Sequence, residues 1–328
     1  MLGTSKVNRL LILGNGFDVD LGMKSRYSDF AKSTVWHEKI ENNAEAMARN
    51  RLLKVLVNAK QHDNWFDIEQ TMMDYVRRQQ ALAERTNYDY ESCDDDVNEY
   101  HLICNSLRTY LQEESESFTP NNSSVAEDAI KDLLQKGLFN KVYTFNYTDL
   151  KTILAKKLCM EVNIEVVHLH GSLRPPDDII LGIEGGDIIP EEYKFMYKTS
   201  SRYYRSNNLY TDLQNANEVV FFGHSINGMD YDYFKDFFNV QSSDSIEGYR
   251  RKWIRIFTYD EPSMQSIMYS LRGNRIDPKD LYRLNNFVVI QTKDLESGDP
   301  WEKEKYAQFT ADIARLRSIV PGKPVNIL

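Results

Sequence analysis

Cysteine is scarce in this chain of 328 residues: there are three, Cys93, Cys104 and Cys159, and no two form a Cys-x-x-Cys pair. This pattern indicates neither a disulfide framework nor a cysteine zinc site. The sequence also lacks an apolar run near the roughly 18 residues that span a bilayer, and no apolar leader opens it. An excess of basic charge is absent too, since the net charge of −9 disfavours general nucleic-acid binding. We therefore expect a cytoplasmic protein with no membrane contact.

Material for a core is plentiful, with 41% hydrophobic residues, 20 tyrosines and 15 phenylalanines. Short apolar segments alternate with helical ones in the second half, which predicts an α/β, Rossmann-like, mostly parallel sheet with helices on both faces. The predicted strands cover residues 7–14, 141–145, 164–169, 179–181, 219–222, 253–258 and 287–291. The region between the first two is polar, charged and rich in helix formers. We expect a nucleotide-binding core formed by 1–30 and 137–328, interrupted by a large helical insertion at 31–136.

The loop after the first predicted strand consists of Gly14, Asn15, Gly16, Phe17 and Asp18. A strand that ends in Gly-x-Gly can present backbone N–H groups to a nucleotide phosphate. Where the dinucleotide fingerprint has its third glycine, this chain has a valine. An ordinary tight turn, in which Asp18 caps a helix, explains the same residues. Both interpretations stay open on these residues alone.

Three further polar motifs also follow predicted strands. Asn146 carries an amide that can hold a sugar hydroxyl or an attacking water, and it fits a satisfied turn equally well. His168 and His170 point to the same face of a strand, and His170, at the strand end, is the better candidate for proton transfer. The third motif contains Gly223, Ser225 and Asp230. Its side chains can line a phosphate and a ribose, or simply cap a helix. In a parallel sheet all these motifs would meet at one edge.

Three other patterns have simpler explanations. The spacing of His168 and His170 suits a metal, but no third ligand lies close in sequence, so we predict no metal site. Trp65 and Glu69 can share a helix face, for which packing is the favoured role. A basic, aromatic stretch contains Tyr193, Lys194, Tyr197, Lys198, Arg202, Tyr203, Tyr204 and Arg205. It could contact nucleic acid or a ligand phosphate, although a charged loop surface is the favoured interpretation.

Taken together, these motifs resemble the phage abortive infection AbiH family. The segments that carry the resemblance are LLILGNGFDVDLGMKSRYSDF, WFDIE, TFNYTD, HLHGS, LGIE and FFGHSINGMDYDYF, in that family's order. AbiH proteins in turn look like distant relatives of sirtuin-type NAD-binding proteins and antiphage NADases, which implies a sirtuin-like fold. By that resemblance Gly14 and Gly16 bind the dinucleotide, Asn146 and His170 are catalytic, and the motif at 223–230 lines the adenosine side. The four-cysteine zinc module of sirtuin deacetylases has no counterpart here, which argues against protein deacetylation.

The resemblance implies an antiphage abortive-infection effector that hydrolyses the nicotinamide–ribose bond of NAD, with NAD as substrate or ligand and no metal. The alternatives are a non-catalytic sensor of NAD or ADP-ribose, and an effector that acts on nucleic acid. As partners we expect a small-molecule nucleotide, a phage-derived trigger or partner protein, and further copies of the chain in a homo-oligomer. The helical insertion would hold the site closed until infection.

Overall fold

The centre of the molecule is a parallel sheet, seen in a computed structural model that describes residues 8–49, 51–62, 66–86, 94–134, 139, 141–185 and 188–318. The strands in these residues are β1 (Arg9–Leu13), β2 (Lys141–Thr144), β3 (Glu165–His168), β4 (Glu218–Phe222), β5 (Trp253–Thr258) and β6 (Asn286–Gln291). Their order is β3-β2-β1-β4-β5-β6, and each neighbouring pair is parallel. The predicted Rossmann-like α/β architecture is therefore confirmed.

Helices occupy most of the remaining described chain. They are α1 (Asn15–Asp20), α2 (Tyr27–Phe30), α3 (Thr34–Trp36), α4 (Ala44–Ala48), α5 (Leu52–His62), α6 (Ile68–Thr86), α7 (Asp94–Ser117), α8 (Val125–Leu134), α9 (Leu150–Lys157), α10 (Leu209–Asn215), α11 (Lys235–Gln241), α12 (Glu261–Gly273), α13 (Pro278–Leu284), α14 (Thr292–Ser297) and α15 (Pro300–Ser318). A π-helical turn at His37–Glu41 and 3-10 turns at Glu191–Met196, Lys198–Ser200 and Gly228–Tyr233 also form. Within the described ranges, no helix combines the length and apolar character needed to cross a membrane.

The sheet is covered on both faces, as the continuous apolar strands require. Successive side chains of a strand point to opposite faces. On β1, Leu11 and Leu13 face a core shared with α1, α8, α9 and α15, whereas Leu10 and Ile12 face a core shared with α10, α11, α12 and α13. The helices thus fix the sheet from both sides and leave its strand ends to form a site.

A third core lies within the helical insertion and does not involve the sheet. It extends from Phe30 to Leu111 and takes in apolar residues of the connection between β3 and α10, among them Ile179, Leu181 and Ile183. The predicted strand at 179–181 is wrong, because within the described chain this segment forms only an isolated bridge from Ile179 to Gly171. Its side chains are apolar because they pack on the insertion. The insertion boundaries at 31–136 stay a prediction, and α8 packs on the sheet.

The strand order reverses between β1 and β4, and in open α/β sheets ligands bind at such a reversal, beyond the carboxyl ends of the strands. Gly14 directly follows β1, and Gly223 directly follows β4. Asn146 and His170 each stand two residues beyond the ends of β2 and β3. All four motifs singled out in the sequence therefore lie at the same edge of the sheet.

Candidate functional site

The loops after β1 and β4 touch each other through their glycines. The backbone N–H of Gly14 donates to Phe222 O at 3.0 Å, and that of Gly16 donates to Gly223 O at 2.8 Å. A Cβ on Gly16 would lie 2.7 Å from Gly223 Cα, and one on Gly223, whose φ is +65°, would lie 2.2 Å from Phe17 N. The glycines thus permit two backbones to pack directly. Because the Gly16 N–H is already bonded, it is not among the groups that face a ligand in this conformation.

The remaining residues of the first loop divide into exposed and buried ones. Asn15 is exposed, and its Oδ1 accepts a 2.5 Å hydrogen bond from Ser25 Oγ. Phe17 is fully buried and packs edge-on against Phe222, with ring centroids 5.6 Å apart. Ser225, in the loop after β4, is exposed. Asn15 and Ser225 are therefore open to a ligand, whereas Phe17 belongs to the core.

Asp18 is buried beneath the first loop and faces the loop after β2. Its Oδ2 accepts a 2.7 Å hydrogen bond from Thr148 Oγ1. Burial raises the pKa of Asp18 to about 7, although hydrogen bonds from Thr148 and Asn146 oppose the change. This carboxyl group is therefore poised between its neutral and charged forms near neutral pH.

Asn146 is buried with half of its amide in use. Its Nδ2 donates to Gly14 O at 3.1 Å, which ties the loop after β2 to the loop after β1. Its Oδ1 accepts no hydrogen bond from any residue that the structure describes. A buried amide oxygen without a donor is unfavourable by about 1–3 kcal/mol, so this atom is available to a hydroxyl group or a water.

The two histidines of the segment after β3 have different surroundings. The Nδ1 of His168 donates to Asn146 O at 3.2 Å, which indicates a structural role for this ring. The ring of His170 is buried and packs edge-on against Phe145, with centroids 5.1 Å apart. Asn146 and His170 therefore follow the neighbouring strands β2 and β3, and His170 packs on the residue that precedes Asn146.

The Nε2 atom of His170 faces a cluster of charged side chains. Asp230 Oδ1 lies 3.3 Å from it, Glu184 Oε1 3.5 Å and Lys198 Nζ 3.2 Å. No described residue hydrogen-bonds to Nδ1 of the same ring. An ammonium can only donate a hydrogen bond, so Lys198 favours a lone pair on Nε2, whereas the two carboxylates favour a proton there. Lys198 and the carboxylates therefore act on Nε2 in opposite directions.

Lys198 is completely buried at the base of this cluster, where its ammonium lies 3.2 Å from Glu69 Oε1. Glu69 stands in the first turn of α6, and its Oε1 also accepts the N–H of Gly182 at 3.1 Å. The hydroxyl of Tyr233 donates to Glu184 Oε1 at 2.9 Å. The helical insertion therefore supplies one of the charged groups around His170.

The charges of the cluster stabilise one another. Burial and Lys198 lower the pKa of His170, but Asp230 and Glu184 outweigh them and the pKa is raised. Burial alone would raise the pKa of Asp230, yet His170 and Lys198 hold it well below its usual range. Burial opposes the charge of Lys198, but Glu69, Asp230 and Glu184 raise its pKa. Lysine and aspartate are therefore charged at neutral pH, and the imidazolium of His170 is stabilised.

His224, in the loop after β4, is a neutral neighbour of the cluster. Its Nδ1 accepts the N–H of Ile226 at 3.0 Å, so the ring proton is on Nε2, which lies 3.9 Å from Asp230 Oδ2. Burial lowers the pKa of His224 to about 4. His224 therefore directs an N–H group toward the Asp230 carboxylate and adds no positive charge to the cluster.

The predicted site residues thus form two groups of contacting residues, both at the same edge of the sheet. The first comprises Gly14, Gly16, Asp18, Asn146 and Gly223, and the second comprises His170 and Asp230. Their assignment to a ligand stays a prediction. Cys93 and Trp65 lie outside the described residues.

Three charged residues around His170 were not predicted as site residues from the sequence: Glu69, Glu184 and Lys198. Packing was the favoured role for Glu69, and a charged loop surface was favoured for the stretch that contains Lys198. The second interpretation is wrong for Lys198, which is only 1% exposed because Glu69 neutralises it in the interior. The WFDIE and LGIE segments, which end in Glu69 and Glu184, were the available pointers.

The chain matches one protein family by sequence and has weak structural similarity to one solved structure described below. The sequence profile described as bacteriophage abortive infection AbiH matches residues 10–249, which include every predicted site residue. A crystal structure of a Sir2 homologue–NAD complex overlaps with a TM-score of 0.41 and 12% identity, over 95% of this chain and 92% of that chain. None of the curated protein sequences matches this chain.

Proposed function

The chain belongs to the bacteriophage abortive infection AbiH family, and from this premise we propose that it is an antiphage effector that hydrolyses the nicotinamide–ribose bond of NAD. The observation that carries the proposal is that Asn146 and His170 each stand two residues beyond the neighbouring parallel strands β2 and β3, at one edge of the sheet. The buried amide oxygen of Asn146 accepts no hydrogen bond from the described residues, and Nε2 of His170 faces two carboxylates. This arrangement suits a reaction in which a water or hydroxyl is oriented and then deprotonated.

The proposed reaction breaks the bond between C1′ of the ribose and the pyridinium nitrogen. The bonding electron pair goes to nicotinamide, which leaves as a neutral molecule, and the ribose acquires oxocarbenium character. Asn146 Oδ1 would accept a hydrogen bond from the attacking water or a ribose hydroxyl. The imidazole of His170 would take the proton as water bonds to C1′, which yields ADP-ribose. A positioned acid–base group of this kind contributes about 10²–10⁴-fold.

The charged cluster supports the cationic stages of this reaction. Asp230 and Glu184 would stabilise the imidazolium that forms when His170 takes a proton. Together with Glu69 they place three carboxylates against one ammonium. Such an excess of negative charge favours a pyridinium or oxocarbenium ion nearby. The diphosphate would lie on the other side, toward Asn15 and Ser225.

The direct test is release of nicotinamide from NAD by the purified full chain, followed by chromatography, alone and with a lysate of phage-infected cells. We expect Asn146→Ala and His170→Ala to lower the rate by about 100-fold or more. Asn105→Ala and His101→Ala, at exposed positions on α7, are the matched controls and should retain the activity. Intact NAD under both conditions, or release that survives both site substitutions, would overturn the proposal.

A non-catalytic sensor is the second candidate, and the closure of the site favours it. His170 is 5% exposed and the Gly16 N–H is already bonded, so this conformation holds the centre shut. We therefore propose that the insertion keeps the site closed until infection and that a phage-derived trigger or partner protein opens it. We also propose that the chain forms a homo-oligomer. Calorimetry with NAD and ADP-ribose separates the two candidates, because a sensor binds the nucleotide without releasing nicotinamide.

A further inference from the structure

Three side chains around the candidate site have the spacing of a cation site. The ligand atoms of His170, Glu184 and Asp230 all lie within 4.8 Å of one another. Imidazole nitrogen and carboxylate oxygen are common ligands of divalent metals. The spacing alone does not say which cation these groups hold.

The ammonium of Lys198 lies among the same atoms. Its Nζ is 3.2 Å from His170 Nε2, 3.7 Å from Glu184 Oε1 and 3.8 Å from Asp230 Oδ1. Glu69 holds it from the far side at 3.2 Å. A divalent ion on the three ligands would meet this ammonium at close range, where two positive charges repel strongly in a buried site.

We propose that the Lys198 ammonium is the built-in cation of this cluster, in the place that a divalent ion would take, and that it positions His170 by drawing Glu184 and Asp230 to the imidazole. Lys198 is thus a positioning residue. Only the consequence for catalysis rests on the proposed function, since the occupancy of the cluster is a property of the resting protein.

Two observations support this assignment. The segment around Gly182 pairs with the segment before Lys198, through Ile183 N to Met196 O at 2.7 Å and Lys198 N to Ile183 O at 3.0 Å. This local pairing sets Glu184 and Lys198 side by side. Moreover, Asp230 Oδ1 is buried without an aligned hydrogen-bond donor among the described residues. That oxygen lies 3.3 Å from His170 Nε2 and 3.8 Å from Lys198 Nζ, so the ammonium contributes to the positive charge that holds it.

The test uses Mn²⁺ as the probe, measured by electron paramagnetic resonance on the full chain. The wild-type protein should bind no Mn²⁺ at the cluster at millimolar concentration. The double variant Glu69→Gln/Lys198→Met removes one charge of each sign, so it should fold, and it should bind Mn²⁺ at least 10-fold more tightly. Binding to the folded state raises the melting temperature, so Mn²⁺ should stabilise the variant but not the wild type. Adding Asp230→Asn should abolish both effects.

A second variant tests the same prediction if the double variant fails to fold. Lys198→Gln keeps a donor for Glu69, and it should gain Mn²⁺ binding in the same way. Mn²⁺ binding by the wild type that is lost in Asp230→Asn would overturn the proposal, because the cluster would then be a metal site. Folded variants that bind no Mn²⁺ would overturn it as well.

The catalytic consequence is measured separately. In NAD cleavage, Lys198→Met should lower kcat with little change in KM, and Lys198→Arg, which keeps the charge, should restore part of the loss. An equal loss in both variants would contradict the positioning role. Because Mn²⁺ binding needs no turnover, the expected Mn²⁺ pattern in a protein that leaves NAD intact would refute the proposed function alone.

Discussion

Replacing Asp18 by asparagine should remove a pH-dependent destabilisation of the fold. Asp18 is 2% exposed, and its Oδ2 is held by the Thr148 hydroxyl at 2.7 Å. Burial raises the pKa of this carboxyl from 3.8 to about 7. Asparagine has nearly the same shape, and its Oδ1 can accept the same hydrogen bond. The substitution therefore isolates the effect of the charge.

The sign and size follow from proton linkage. The folded state binds the Asp18 proton more tightly than the unfolded state does, so the stabilising contribution of this proton is complete below about pH 4. It is lost as the pH rises through about 7. A pKa difference of about 3 units corresponds to about 4 kcal/mol, at 1.36 kcal/mol per unit. Relative to wild type, Asp18→Asn should thus gain about 4 kcal/mol in unfolding free energy between pH 4 and pH 8.

Urea unfolding of both proteins at four or five pH values across this interval measures the difference. Asp244→Asn, at a site whose side chain is 62% exposed, is the matched control and should show a change below about 0.5 kcal/mol. Wild-type and Asp18→Asn stabilities that run parallel within about 1 kcal/mol would refute the burial argument. The Asp18 carboxyl would then be ionised in the folded protein without hindrance.

The remaining predictions concern two packed contacts. Gly223→Ala should destabilise the fold far more than Gly228→Ala. Both glycines have a positive φ, +65° and +61°, but only a Cβ on Gly223 would meet backbone, 2.2 Å from Phe17 N. For Gly228 we expect only about 1–2 kcal/mol of backbone strain, and equal losses in thermal melts would contradict the reasoning. Tyr75→Phe should reduce the unfolding free energy by about 1.5–3 kcal/mol, since its hydroxyl donates to the buried Asp96. Tyr269→Phe is the control, because Tyr269 is 79% exposed. Equal denaturation midpoints for the wild type and both variants would refute the predicted loss in Tyr75→Phe.

The sheet was predictable because its strands are buried on both faces. Such strands appear as short continuous apolar runs, and β5 matches its predicted bounds of 253–258. The same rule failed at 179–181, where the apolar run is buried against the insertion instead of the sheet. A short apolar run indicates that a segment is buried, but it does not show which part of the fold the segment packs against.

The charged half of the candidate site was not predictable in the same way. Asn146 and His170 stand out because each is polar directly beyond a strand. Lys198 lies in a stretch with exposed cations such as Lys194, and nothing local separates the two. Its burial is decided by Glu69, 129 residues earlier in the chain. A pairing of that range becomes visible only when the insertion is placed on the core.

The pairing of Lys198 with Glu69 also decides where a ligand can reach His170. Moving the insertion away would separate a buried ion pair, which is unfavourable by about 3–5 kcal/mol when one charge is left without its partner. Asp230 offers another approach, because its side chain is 27% exposed whereas those of His170 and Lys198 are 6% and 1% exposed. Entry past Asp230 leaves the ion pair intact. We therefore expect the closed site to open on the Asp230 side, by movement of another part of the insertion, with α6 and Glu69 staying in place behind His170.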